Sequence, residues 1–120
     1  MTIKYKQMNA STTREVVLPF NIKVSQFQND KGVAVKNQFK IEYKDKEGFM
    51  VYVFQSYDSI IAIKYVEITD DKVSERIVLD STYWDYSKTT GKYRNLFLGE
   101  DKKETERKIK EGIYQLCELN

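Results

Sequence analysis

Short apolar runs joined by polar turns constrain the fold of this chain more than any other feature of its sequence. Five runs carry the alternating or continuous apolar pattern of a β-strand: 16–24, 39–43, 49–54, 60–68 and 73–79. The turns between the last four runs are only four or five residues long, which leaves no space for a crossing helix. Consecutive strands must therefore be antiparallel neighbours. The pattern predicts an antiparallel meander sheet of five or six strands.

Details within these runs predict where each strand lies in the sheet. Residues 3–8 add a candidate short first strand. The alternation of the run 16–24 predicts one buried face. Because Pro19 in that run cannot donate a ladder hydrogen bond, we expect an edge strand or a bulge there. The run 49–54 is apolar on both faces, which predicts a central strand covered from each side.

The periodicity becomes helical within the segment Tyr83–Gly99, which reads YWDYSKTTGKYRNLFLG. Asp85 or Ser87 can cap the start of this helix, because a short side-chain oxygen accepts from the free amides of the first turn. The glycine that closes the segment can adopt the left-handed conformation that ends it. A capping box at Asp101 opens a second helix, which we expect to be largely solvated and to end at Gly112.

The end of the chain completes the predicted fold. Residues 114–119 suit a final short strand added to the sheet edge. Because no linker, repeat or low-complexity stretch interrupts the chain, residues 1–120 are predicted to form a single domain. The predicted class is α+β, an antiparallel five- or six-stranded meander sheet with two C-terminal helices and a final short strand.

Candidate binding residues concentrate around the first helix. Aromatic side chains there could stack on unpaired bases while basic ones follow the phosphates, as in proteins that bind single-stranded nucleic acid. In the competing interpretation the helix docks on the sheet through its aromatic residues, Trp84, Tyr86, Tyr93 and Phe97, of which the last three share one face, and the basic residues form its solvated side. We favour packing, because a net charge of +2 is low for a protein that neutralises phosphates. The candidate binding residues are Tyr57, Trp84, Tyr86, Lys88, Lys92, Tyr93, Arg94 and Asn95.

Three polar residues stand out in the first helix because better helix formers exist. We expect Thr89 and Thr90 to satisfy backbone groups in the first turn, and Asn95 to bond a neighbouring loop. In the alternative, Tyr57 and Trp84 frame a small pocket together with Asn95.

Aromatic side chains of the predicted strands fall on both faces of the sheet. Tyr43 and Tyr65 have odd positions, whereas Tyr52 and Phe54 have even ones. Two sets of opposite parity cannot both face one core. Some of these rings must be covered by the helices, by a partner protein or by a second copy of the chain in a homodimer.

The residues that are absent limit the chemistry that can be predicted. The chain has no His, which excludes Ser–His and Cys–His nucleophile systems, and its glycines and aspartates match no phosphate-cradling or calcium loop. We therefore predict no metal or cofactor and do not expect an enzyme. Cys117 is the only cysteine, which excludes an internal disulfide, and we expect it to pack in the core. No run approaches the roughly 18 apolar residues of a membrane span, and the first residues lack the apolar core of a secretory signal, so we expect a cytoplasmic location.

One element of the chain resembles a known group of proteins. The element reads Trp84-Asp85-Tyr86-Ser87-x-Thr89-Thr90-x-Lys92-Tyr93-x-Asn95-x-Phe97-Leu98-Gly99, and Phe54-Gln55-Ser56-Tyr57-x-x-Ile60-Ile61-Ala62 precedes it. Through these two stretches, the region of residues 37–119 is similar to small uncharacterised proteins from phages and mobile elements of Gram-positive bacteria. The resemblance implies an accessory protein that binds a host or defence protein, as an anti-defence inhibitor does. It implies no reaction.

Overall fold

The computed structural model describes residues 2–6, 13–17 and 20–120, and the side chains of residues 21–120. Near the amino terminus, β1 (Thr2–Lys6) and β2 (Thr13–Val17) pair antiparallel in a two-stranded sheet of their own. The predicted run 16–24 is therefore divided between β2 and β3 (Phe20–Gln28), while Pro19 lies outside the described residues. β1 begins one residue before the predicted strand 3–8, and residues 7 and 8 lie outside the described residues.

The main sheet has six strands in the order in which they follow along the chain, β3 to β8. The remaining strands are β4 (Ala34–Lys44), β5 (Met50–Ser56), β6 (Ser59–Ile68), β7 (Val73–Asp80) and β8 (Gln115–Cys117). β3 to β7 are antiparallel neighbours, as the short turns predicted. β8 instead runs parallel to β7, because the chain first returns through two helices, α1 (Lys88–Leu98) and α2 (Lys102–Lys110). The predicted fold class is confirmed, with a parallel pair at one edge.

The principal core lies between α1 and one face of this sheet. Phe54 of β5 stands opposite Ala62 of β6, and Ala62 stands opposite Leu79 of β7, so these side chains share a face. Tyr93 and Phe97 of α1 pack onto them, with the rings of Phe54 and Phe97 6.0 Å apart. Burial of such large rings is the main source of stability in a domain of this size.

The opposite face of the sheet also buries apolar side chains. Val51 and Val53 of β5 are buried there, so the prediction of a central strand covered on both faces is confirmed. Tyr43 and Tyr65 stand on either side of Val51 in the register and are half-buried. Aromatic residues thus occur on both faces, as their parity predicted.

Two expectations about the burial of strand residues are wrong, both at sheet edges. Ile22 and Val24 of the outermost strand β3 are exposed, although their alternation predicted a buried face. Cys117 is exposed as well, because β8 at the other edge presents all three of its residues to solvent. An edge strand has a neighbour on one side only, so its side chains gain less cover than the pattern alone implies.

The helix ends follow the predicted capping. Ser87 caps α1 with its side chain, and Gly99 ends it with a positive φ of 71°. The Asp101 carboxylate caps α2 by accepting from the amide of Glu104. α2 is largely solvated, as expected, with Thr105 its one buried residue. Within the part of the chain that the structure describes, no helix is long and apolar enough to cross a membrane.

Candidate functional site

A buried arginine organises the element from Trp84 to Gly99. Arg94 is 1% exposed, and its Nη1 donates to the Trp84 carbonyl oxygen at 2.8 Å and to Asp85 Oδ1 at 3.2 Å. Its Nη2 donates to Asn95 Oδ1 at 3.0 Å, and its guanidinium lies 5.2 Å from the centre of the Trp84 ring. Charge-assisted bonds of this kind replace the water that a buried guanidinium loses. Arg94 therefore does not lie on the solvated side of the helix, where the packing interpretation placed it. Nor does it belong to a surface that could contact phosphates, as the nucleic-acid interpretation required.

Asp85 connects this arginine to the second helix. Besides Arg94, its carboxylate accepts from Lys102 Nζ at 2.7 Å, at the start of α2. The hydrogen bond from Lys102, which has the largest effect, and that from Arg94 hold the pKa of Asp85 below its usual value, although partial burial acts to raise it. The Asp85 carboxylate thus joins the loop before α1 to the first turn of α2.

The threonine and asparagine residues of α1 have structural roles. Thr90 is buried, its amide donates to Ser87 Oγ at 3.1 Å, and its hydroxyl shares a hydrogen bond of 3.0 Å with Ser56 of β5. Thr90 thus lies in the first turn as predicted, but its hydroxyl bonds the Ser56 and Ser87 hydroxyls and not a backbone group, and Thr89 is exposed. The Asn95 side chain accepts from the Arg94 side chain, so the prediction that Asn95 bonds a neighbouring loop is wrong.

The aromatic residues of the element divide between the core and the surface. Tyr93 is buried in the core, and Trp84 is half-buried against it. Tyr86 is 66% exposed, because α1 begins only at Lys88 and Tyr86 lies in the turn before it. The prediction that Tyr86 shares a docking face with Tyr93 and Phe97 is therefore wrong. The Tyr86 ring instead lies 5.5 Å from that of Tyr83, at 69° to it.

Three tyrosines border a concave surface between the β5–β6 turn and the start of α1, which we call the tyrosine recess. Its volume is about 540 Å³. Tyr57 in the β5–β6 turn, together with Tyr83 and Tyr86 before α1, supplies the aromatic part of its lining. The other lining residues are Ser56, Asp58, Ser59, Ile61, Ser87 and Thr89. The recess thus combines rings with hydroxyl groups and a single carboxylate.

Tyr57 holds its position in a strained backbone conformation. Its φ is +54°, a left-handed value that bulky residues rarely adopt, and its side chain is 55% exposed. Its amide donates to the Asn37 carbonyl oxygen at 2.7 Å, and its own carbonyl accepts from Gln55 Nε2 at 2.8 Å. These bonds fix the turn, so the ring is presented by a preorganised backbone.

The lysines lie in a different groove, along the outer side of α1. This groove has a volume of about 1010 Å³, and Lys88, Lys92 and Asn95 line it together with Arg94. Carboxylates line it too, and Lys92 approaches one of them, on Asp30, at 4.0 Å. The groove therefore has little surplus charge of either sign.

The structure separates the residues that the sequence grouped as a binding site. Tyr57 and Tyr86 line the recess, whereas Lys88, Lys92 and Asn95 line the groove. Trp84 lines neither the recess nor the groove, and Tyr57 and Asn95, which the alternative placed in one pocket with it, line different cavities.

Of the aromatic and charged residues that line the recess, Tyr83 and Asp58 are absent from the candidates predicted from the sequence. Tyr83 adjoins Trp84 in sequence, and Asp58 follows Tyr57 in a predicted turn. The sequence therefore singled out the segment around each of these residues, but only the fold brings the β5–β6 turn and the turn before α1 together. Within residues 2–6, 13–17 and 20–120, no group of three or more His, Cys, Asp or Glu side chains is placed to hold a metal ion.

Fold and site together define a small α+β protein in which two helices follow a six-stranded sheet and an aromatic recess opens beside the first helix. The model of a family of unknown function, DUF8033, matches residues 22–112. The chain belongs to this family. No curated protein and no solved structure matches the chain.

Proposed function

We propose that this protein acts without catalysis, by binding another protein through the tyrosine recess. In the setting that the sequence resemblance implies, it is a cytoplasmic accessory protein of a phage or mobile element, and its partner is a host or defence protein that it inhibits. The observation that carries the proposal is the exposed ring of Tyr57, held in a left-handed backbone conformation.

The chemistry of the recess suits protein recognition. Tyrosine is enriched among the residues that dominate binding energy, because it offers a large apolar ring with a polar tip. It also has few rotatable bonds, so little side-chain entropy is lost when a partner covers it. The hydrogen bonds that the Tyr57 amide donates to Asn37 and that its carbonyl accepts from Gln55 fix the backbone in advance, which lowers the ordering cost further.

The alternative, binding of single-stranded nucleic acid, receives less support from the geometry. Of its proposed contacts, Arg94 and Tyr93 are buried. Lys88 and Lys92 remain accessible, but they line the groove and not the recess that holds the exposed rings. Stacking platforms and backbone-tracking cations need to lie along one path.

A capture experiment with a matched control tests protein binding. The bait is the full chain, compared with Tyr57→Ala/Tyr86→Ala and with Ile68→Ser, which alters an apolar residue 70% exposed at the far end of β6. From a lysate of a Gram-positive bacterium, we expect the full chain and Ile68→Ser to retain one discrete partner. The double variant should retain about tenfold less, as loss of two interface tyrosines implies.

Two results would contradict the proposal. One is a folded bait that retains no specific protein; the other is equal retention by the double variant. Quenching of Trp84 fluorescence by oligonucleotides that weakens as salt is raised would favour the nucleic-acid alternative instead.

A further inference from the structure

We infer that the tyrosine recess receives a cationic side chain, a lysine or an arginine of the partner protein. This inference rests on the proposed function and specifies the chemistry of the contact. It is supported by the ring arrangement, by the charges that line the recess, and by the use of cation–π contacts elsewhere in the molecule.

Three aromatic rings border the recess. Tyr83 and Tyr86 meet edge to face, at 69° with centroids 5.5 Å apart. Tyr57 borders the same recess from the β5–β6 turn. Aromatic faces carry negative electrostatic potential, and several of them around one space are the usual recognition element for an ammonium or guanidinium group.

The charges around the recess have the complementary sign. Asp58 is the only charged residue among those that line it, and it adds a carboxylate to the rim. Ser59 and Thr89 lie in the same lining, and their hydroxyl oxygens can accept from a cationic donor, whereas the hydroxyls of Ser56 and Ser87 already bond Thr90. No Lys or Arg within residues 20–120 lines this space, whereas four line the groove on the outer side of α1.

The rest of the molecule shows that its aromatic residues take cations readily. Arg94 lies over Trp84, Arg76 over Tyr65 and Lys64 over Phe97, each within 5.6 Å of the ring centre. In the described part of the chain, none of the cation–π pairs involves a tyrosine of the recess. Tyr57 and Tyr86 are 55% and 66% exposed and therefore present ring surface to a cation from outside, whereas Tyr83 is half-buried.

The start of α1 works against a cation, because a helix amino terminus carries roughly half a positive elementary charge. The Asp58 carboxylate carries a full negative charge. In addition, Ser87 already accepts the Thr90 amide with its side chain and the Gly91 amide with its carbonyl, which occupies part of the helix terminus. The balance favours a cation in the recess.

NMR titration of the ¹⁵N-labelled full chain tests the inference. The probes are N-acetyl-lysine N-methylamide and its norleucine analogue, which has the same stem without the ammonium group; sodium acetate serves as an anionic probe. We expect the lysine probe to shift the amides of Tyr57, Asp58, Tyr86 and Thr89, with a dissociation constant on the order of 1–10 mM for so few contacting atoms. The norleucine analogue should bind at least about threefold more weakly, since it lacks the cation–π term.

Variants locate the contact. Asp58→Asn should weaken the lysine probe about threefold and Tyr86→Leu should abolish its binding, whereas Ile68→Ser should leave it unchanged. Equal binding of the norleucine analogue, absence of any shift, or a stronger response to acetate would each overturn the inference. A captured partner that depends on Tyr57 and Tyr86, combined with no response to the lysine probe, would overturn this inference alone and leave protein binding in place. The reverse pattern would overturn protein binding and, with it, the assignment of the cation to a partner protein, and would leave only a recess that binds a cationic group.

Discussion

Replacement of Asp85 by Asn tests whether the buried arginine holds the two helices in place. The change preserves the shape of the side chain but removes the charge that faces Arg94 at 3.2 Å and Lys102 at 2.7 Å. Lys102 is half-exposed and regains water, whereas Arg94 is almost fully buried and does not. The cost therefore falls mainly on Arg94.

The magnitude follows from the burial of the two partners. Removing one partner of a fully buried ion pair costs about 3–5 kcal/mol. The side chain of Asp85 is 36% exposed, and the Trp84 carbonyl and Asn95 continue to accept from Arg94. We therefore expect Asp85→Asn to lower the free energy of unfolding by about 2 kcal/mol, near the range for a hydrogen bond to a charged group.

Equilibrium urea unfolding followed by far-UV circular dichroism measures this loss without relying on the neighbouring Trp84. Glu106→Gln is the matched control, because Glu106 also approaches Lys102, at 3.7 Å, but on an exposed helix face. Its expected cost is at most about 0.5 kcal/mol. If Asp85→Asn destabilises the protein no more than Glu106→Gln does, the ion pair between Asp85 and the buried Arg94 does not hold the helices and the reasoning is refuted.

Three further outcomes are expected. Cys117 should react with a thiol reagent in the folded protein nearly as fast as in urea, since it is exposed on an edge strand; strong protection would contradict this placement. Burial, and then the hydrogen bond to Glu100, raise the pKa of Tyr114 to about 12, so ultraviolet titration should show a late-ionising tyrosine that Tyr114→Phe removes. Stability should fall as the pH drops below about 4. Burial acts to raise the pKa of Asp80, Asp85 and Glu100, but the hydrogen bonds that these carboxylates accept hold each pKa below its unfolded value. The stability that these carboxylates contribute is therefore lost when they are protonated in the folded state. A free energy of unfolding that stays constant between pH 6 and pH 3 by urea titration would contradict that last expectation.

Local features of the chain were predictable because short-range chemistry decides them. Ser87, Gly99 and Asp101 mark helix ends whatever surrounds them, since each satisfies backbone groups one turn away. Short turns likewise force consecutive strands to pair with each other, so the meander could be predicted from the sequence. Burial at the edges was not predictable in this way. Alternation assigns Ile22 and Val24 to one face, but only the position of β3 in the sheet decides whether anything covers them.

The candidate site was predictable only in part, for the same reason. Tyr57 and Tyr86 could be named from the sequence, but neither the +54° φ of Tyr57 nor its approach to the turn before α1 follows from neighbouring residues. Arg94 resembled a solvated helix cation, and its burial depends on Asp85 and on the Trp84 carbonyl lying across from it.

The sequence by itself determined the succession of strands and helices, their caps and the pairing of strands joined by short turns, because these depend on residues within a few positions of one another. The tertiary structure alone decided which arginine is buried, which tyrosines face solvent and where they meet, because each of these depends on surfaces contributed by residues tens of positions apart.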